Sequence, residues 1–371
     1  MMQNTDMDGL GLPQDQVMLY CRPAFHSQFD FLTKQVLDEC HLGYILAPPG
    51  TGKSTTAAAF ALTVDIRMWI VTWIHVTVHQ GWWCVRLVGD KRLCLSITVA
   101  DLDEVLQLKD DRHNHLVLVD GWTLDDSNSQ LTTKCMRWFL FTDATMKRRL
   151  SFICSVASRG KIHEEEDIRS RALEFVVESW TLEEYLDATM DDVFFSYVSP
   201  YLDVAQTPPV DRAAVVTSKY YYAGGSCRYM FCFSTADVMG KLLAAVSAMS
   251  DIGATATVGQ RSSISINRLF AMFRSTTGGH VTPVISQYAA TTIGIQCGPE
   301  AIKKFMTTLQ ESSNPALNGW MLEIAFFANL RNGGMTTVDA AGNTLDKWPE
   351  ASIVVSDGVP THSPNRSRRL D

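Results

Sequence analysis

An α/β fold, a parallel sheet flanked by helices, is predicted by three features of this 371-residue sequence. A short apolar stretch, Leu42 to Leu46, runs into a glycine-containing turn and then an alanine-rich segment without breakers, Thr55 to Leu62. Leu116-Val117-Leu118-Val119 is apolar at every position and ends in Asp120-Gly121, the pattern of a strand covered on both faces. Strand-like segments also recur with connections long enough for the crossovers that parallel pairing requires.

The elements follow in chain order. Phe29, Leu32, Val36 and Leu37 stand at helical spacing and predict a helix over residues 28–40. Leu42 to Leu46 is the first strand, and Pro48-Pro49-Gly50 turns it into the helix of Thr55 to Leu62. Met68 to Val78, rich in β-branched residues and carrying Trp69, Val71 and Trp73, is a second strand, and Leu93 to Val99 a shorter one. Leu116 to Val119 and Leu150 to Val156 add two more. Thr181-Leu182-Glu183-Glu184 reads as a capping box, with Trp180 and Tyr185 as its hydrophobic staple, so a helix is expected to start at Leu182. Thr207-Pro208-Pro209 is a hinge and Gly224-Gly225 a tight turn. Helices are expected from about Asp237, over Ser263 to Thr276, over Pro299 to Gln310, and after an Asn314-Pro315 start. This order divides the chain into an N-terminal segment (1–40), an α/β core (41–160), a mainly helical lid (161–245) and an α/β C-terminal region (246–371).

The net charge of -8 is local. Lys161 to Asp192 holds 11 acidic against 3 basic residues, leaving the remainder balanced at 29 against 29. A neutral background gives no general attraction to nucleic acid or anionic membrane, and Arg366-Ser367-Arg368-Arg369 reads as a solvated tail. The nine cysteines have no C-x-x-C pair or zinc-like spacing and read as reduced core thiols. Met1 to Val17 lacks the basic and apolar regions of an ordinary secretion signal, and Met68 to Val78 is too short to span a bilayer. A soluble protein without a membrane partner is expected.

Ala47-Pro48-Pro49-Gly50-Thr51-Gly52-Lys53-Ser54 carries the chemistry. A triphosphate concentrates negative charge, and backbone N–H groups at a helix N-terminus can surround it where glycines let the backbone approach. Pro49, Gly50, Thr51, Gly52, Lys53, Ser54 and Thr55 are the expected nucleotide contacts, with Lys53 on the β and γ phosphates and Ser54 on Mg²⁺. Ala47 stands where the motif has its first glycine. Asp120 is the expected second acidic group for the metal, at the end of a neighbouring strand. Gly121 follows it where many ATPases of this type have a glutamate that orients water, a departure that argues against rapid hydrolysis. Ser155 or Ser158 at a strand end, Arg159 beyond it and Arg228 from the lid are candidate γ-phosphate contacts. His75, His79, His113 and His115 read as strand-face or loop residues.

Together with Leu-Val-Leu-Val-Asp-Gly at 116–121, Ser-Val-Ala-Ser-Arg-Gly-Lys at 155–161 and Phe-Val-Val-Glu-Ser-Trp-Thr-Leu-Glu-Glu-Tyr at 175–185, the P-loop segment resembles the Crinkler effectors of oomycetes. Gly224 to Phe231 and Asn314 to Glu323 are similar to later blocks of that family, so the resemblance spans roughly residues 28 to 350. It implies an ATP-binding domain related to the AAA+ and STAND ATPases, joined to a region similar to restriction-endonuclease-like nucleases. It also implies secretion by a pathogen, entry into a plant cell, action in the host nucleus, and host proteins or host DNA as partners. The family's Leu-Phe-Leu-Ala-Lys header is missing from Met1 to Phe25, so these residues do not support delivery into a host. Glu323 matches a first-helix nuclease glutamate, but no Asp followed by a [Glu/Gln]-x-Lys strand comes after it, and the nuclease half reads as truncated or degenerate. Asp339 and Asp346 read as turn residues. ATP hydrolysis or an ATP-dependent switch is the expected activity. A nuclease or DNA-binding effector regulated by ATP, a non-hydrolysing interaction protein and a small-molecule kinase are the alternatives, and the oligomeric state is open.

Overall fold

The computed structural model describes residue 10 and residues 17–77, 81–107, 114–122, 126–140, 147–156, 164–203, 211–248, 268–275, 278–296, 325–326, 328–339 and 341–350. Its centre is a seven-stranded sheet. The strands are β1 (Gly43–Leu46), β2 (Trp69–Val76), β3 (Trp82–Val88), β4 (Lys91–Ile97), β5 (Asn114–Trp122), β6 (Arg148–Cys154) and β7 (Leu173–Val176), in the order β4-β3-β2-β5-β6-β1-β7. Strands β2, β5, β6, β1 and β7 pair in parallel, and β3 and β4 add an antiparallel extension at the β2 edge. In this α/β sheet one strand, β6, separates β1, which runs into the glycine turn, from β5, which carries Asp120.

Alternation along the strands explains the two cores. Leu116 and Leu118 face helices α1 (Pro23–Phe31) and α2 (Lys53–Thr63), packing with Leu32, Ala57 and Phe60. Val117 and Val119 face α3 (Leu102–Leu106) and α4 (Asp126–Leu140), packing with Leu102, Leu131 and Trp138. All four valines and leucines are fully buried, as expected for a strand with helices on both sides. The helix expected at 28–40 begins earlier, because Pro23 suits a first turn, and it continues as a π-helix over Leu32–Asp38 that buries Leu32 and Val36.

Beyond α5 (Glu164–Ser170) and β7, the chain becomes helical: α6 (Leu182–Met190), α7 (Asp192–Val198), α8 (Arg212–Ala223), α9 (Cys227–Phe231) and α10 (Thr235–Ser247). The capping box at Thr181 is formed in both directions, and the Trp180 and Tyr185 rings stack at 5.0 Å. These helices share one core with Leu269, Ile285, Tyr288 and Ile293, the last two on a helix over 287–296.

The described part of the helix expected over Ser263 to Thr276 is instead extended. Ala271 N–H donates to Pro283 O, Ile285 N–H to Leu269 O, and β8 (Phe273–Arg274) pairs with β9 (His280–Val281) across Gly278-Gly279 at positive φ. Nonlocal pairing outweighs the helical spacing. Asp346 is also corrected: it lies in β11 (Thr344–Trp348), paired with β10 (Met335–Val338), whereas Asp339 caps the turn by accepting from Ala341 N and Asn343 N. The helices expected at Pro299 to Gln310 and after Asn314, and the Thr207-Pro208-Pro209 hinge, lie outside the described residues. Among the described residues no helix is long and apolar enough to cross a membrane.

One buried group gives a pH prediction. His115 on β5 shares a hydrogen bond with Thr72 Oγ1 at 2.9 Å and meets the Trp138 ring edge-on. Burial, reinforced by Arg86 and Arg148, pushes its pKa down to about 3. The folded state therefore binds this proton less readily than the unfolded chain does, so stability is lost as pH falls below about 6.5 toward 3. In urea unfolding, wild type is expected to lose about 1.4 kcal/mol per pH unit more than His115→Leu in that window. Equal slopes would show that His115 is not the group responsible.

Candidate functional site

The P-loop follows directly from β1. Ala47, fully buried, donates its N–H to Cys154 O at 3.3 Å, so a small side chain is what this position accommodates. Gly50 and Gly52 take φ values of 83° and 97°, a region that favours glycine. Thr51 Oγ1 donates to Pro48 O at 3.2 Å, and Thr56 N–H donates to Gly52 O at 2.9 Å, so α2 starts at Lys53. The first N–H groups of that helix lack intrahelical acceptors, which is the arrangement that attracts an anion.

The loop is braced from outside by long-range contacts. Thr51 O accepts from Trp180 Nε1 at 3.1 Å and from Arg22 Nη2 at 3.3 Å. Arg22, only 4% exposed, also donates to Glu184 Oε2 at 2.9 Å, the same glutamate that closes the capping box of α6, and lies over the Trp180 ring. Arg228 N–H donates to Gly50 O at 3.4 Å, and a Cβ at Gly50 would sit 2.2 Å from Ser226 Oγ. The lid therefore rests directly on the loop. Between them is a small cleft of about 100 Å³ lined by Pro49, Arg228, Tyr229, Lys241 and Arg268.

Ser54 Oγ donates to Asp120 Oδ1 at 2.6 Å, and His75 Nδ1 is 2.9 Å from Asp120 Oδ2. Asp120 is not on a strand adjacent to β1, because β6 lies between them; parallel register brings its carboxylate to the same sheet edge, where it reaches Ser54. The Lys53 ammonium has no hydrogen-bond partner among the described residues. Burial lowers its pKa, Asp120 opposes that shift and Arg228 adds to it. A half-buried ammonium with no hydrogen-bond partner among the described residues, beside free helix N–H groups, fits a triphosphate, and the Ser54–Asp120 pair supplies the hydroxyl and carboxylate oxygens that Mg²⁺ prefers.

Ser155 directly follows β6, half-buried at that same edge. Arg159 and Ser158 lie outside the described residues, as does Glu323. Arg228 lines the cleft beside Pro49. Sequence reasoning missed two residues. His75, read as a strand-face histidine, belongs to the Asp120 cluster, and Arg22 belongs to the P-loop brace. The signal for His75 was a polar residue closing an apolar strand, as Asp120 closes β5, with which it is in register.

No family model and no curated protein matches the chain. Among solved structures it is similar to Cdc6p from Pyrobaculum aerophilum, at 12% identity over 82% of this chain and 98% of that one, with a TM-score of 0.34. A Drosophila ORC structure bound to DNA gives 14% identity over 94% and 88%, with a TM-score of 0.34. A RuvB mutant from Thermotoga maritima gives 12% over 85% and 88%, with a TM-score of 0.36. The chain's own strand order and loop geometry are those of an α/β P-loop fold.

Proposed function

We propose that this chain binds ATP with Mg²⁺ and acts as an ATPase or ATP-dependent switch, within a Crinkler-like effector that works in the host nucleus. The observation that carries the nucleotide reading is the Lys53 ammonium, without a hydrogen-bond partner among the described residues, next to the Ser54–Asp120 hydrogen bond at the start of α2. When bound, Mg²⁺ would neutralise charge on the β and γ phosphates, held by Ser54 with Asp120 behind it. Lys53 and the first N–H groups of α2 bind the phosphates, and Arg228 approaches from the lid. The effector reading is supported by the sequence blocks alone; nuclear accumulation of a tagged chain in plant cells tests it, and exclusion from the nucleus would remove it.

Asp120→Asn separates metal use from binding. The variant is nearly isosteric and keeps one oxygen for Ser54, so ATP affinity is expected to stay within about threefold while Mg²⁺-dependent turnover falls by about tenfold or more. Unchanged turnover would place the metal partner elsewhere.

The nuclease alternative is less well supported. Asp346 and Lys347 are consecutive on β11, so their side chains alternate to opposite faces, and both are exposed. Purified protein is expected to leave linear and single-stranded DNA intact with Mg²⁺ or Mn²⁺. Cleavage that disappears in Glu323→Ala would make the nuclease reading the leading one.

A further inference from the structure

The P-loop reading leaves open what would orient the attacking water, because Gly121 stands where a glutamate is common. A glycine is required at 121 by its surroundings. Its φ is 76°, and a Cβ there would meet Val76 O at 2.6 Å, so no side chain fits without moving β2. The same imagined Cβ would lie 3.8 Å from His75 Cε1. The space beside Gly121 is thus bordered by the His75 imidazole.

His75 is at the C-terminal end of β2, in register with Asp120, on the strand next to β5. It shares its strand face with Trp73, two residues earlier, which packs in the α2-side core, so its ring is on the face of the sheet from which Asp120 reaches Ser54. Nδ1 is 2.9 Å from Asp120 Oδ2, and the side chain is 18% exposed. A carboxylate only accepts hydrogen bonds, so the hydrogen of the neutral ring is on Nδ1 and Nε2 keeps its lone pair. Nε2 has no partner among the described residues.

We infer that His75, held by Asp120, positions the water for attack on the γ-phosphate of ATP by accepting a hydrogen bond at Nε2, in place of the glutamate absent at 121. This rests on the reading that the P-loop binds ATP with Mg²⁺. The water oxygen forms a bond to the γ-phosphorus, and the bond from that phosphorus to the bridging oxygen breaks, its electron pair leaving on ADP. The water proton passes to a γ-phosphate oxygen, so ATP and water become ADP and dihydrogen phosphate with no change in total charge. His75 orients the water and returns unchanged.

The alternative role is purely structural, with His75 bracing Asp120. His75→Asn separates the two, because the asparagine amide keeps a donor near the Nδ1 position but has no acceptor at Nε2. His75→Gln places its amide oxygen near Nε2. Three measurements on the full chain decide: steady-state ATP turnover, ATP affinity, and affinity for ADP with aluminium fluoride and Mg²⁺, which traps the in-line water. We expect His75→Asn and His75→Ala to lower kcat by about 10- to 100-fold and to weaken the aluminium fluoride complex by a similar factor. ATP affinity and KM stay within about threefold, and His75→Gln recovers part of kcat. Wild-type turnover in His75→Asn with loss only in His75→Ala would assign the bracing role and overturn the inference. ATP binding without any turnover in wild type would also overturn it, leaving the nucleotide reading intact. Failure of the wild-type chain to bind ATP would instead remove the nucleotide reading itself.

Discussion

Lys53→Ala is expected to abolish most of the thermal stabilisation that ATP with Mg²⁺ gives the wild-type chain. A ligand at 100 times its dissociation constant stabilises the native state by about 2.7 kcal/mol, which for a chain of this size raises Tm by about 3–4 °C. The lysine side chain is half-buried, without a hydrogen-bond partner among the described residues, and stands at the helix end where the phosphates would arrive. Its loss removes a charge-assisted contact to phosphate, and truncating such a partner costs about 2–5 kcal/mol of binding. The ATP-induced shift should therefore drop below about 1 °C at the same ATP concentration. The ligand-free variant should melt no lower than wild type. Folding lowers the lysine pKa, so the folded state holds this proton less tightly and the buried charge opposes folding at neutral pH; removing it relieves that cost. An unchanged ATP response in Lys53→Ala would remove the P-loop assignment.

Local signals made much of the site legible in the sequence. The glycines at 50 and 52, the lysine, the hydroxyl at 54 and an aspartate closing an apolar strand are each set by contacts within a few residues or by uniform burial. The capping box at Thr181 was readable because its partners are three positions apart. His75 was not, because its contact with Asp120 spans 45 positions and exists only once β2 and β5 pair in register. The brace on Thr51 was equally hidden: Arg22 reaches Glu184 across 162 positions, and neither residue type signals a nucleotide site. Strand β3 was also missed. It extends the sheet through antiparallel pairing with β2, four of its seven residues are less than fully buried, and Arg86 interrupts its apolar pattern. The Ser263 to Thr276 segment failed for the opposite reason, since its spacing suited a helix but Leu269 and Ala271 found backbone partners at Ile285 and Pro283.

The largest effect on stability is expected at Gly224, between α8 and the cap of α9. Its backbone, at φ 51° and ψ −135°, is in a region that L-residues rarely occupy, and a Cβ there would fall 1.7 Å from Ile285 O. Neither problem can be solved locally. Ile285 O accepts the Gly225 N–H, and Ile285 N–H donates to Leu269 O, so moving that carbonyl breaks the pairing that closes the lid core. Gly224→Ala therefore combines backbone strain with a main-chain clash, and about 3 kcal/mol or more of destabilisation is expected. Gly240→Ala is the control. Gly240 is exposed in the interior of α10, with nothing within 4 Å of an added Cβ, so alanine should stabilise by about 0.5–1 kcal/mol. Gly52→Ala separates strain from clash, since Gly52 has φ 97° with open space around it and should lose stability through strain alone. Because Ser226 and Arg228 follow Gly224 and pack against Gly50, Gly224→Ala should also weaken ATP binding from a distance, whereas Gly240→Ala should not. Chemical denaturation of the three variants with and without ATP measures both effects. A Gly224→Ala variant as stable as wild type would mean that the turn and Ile285 do not meet as described.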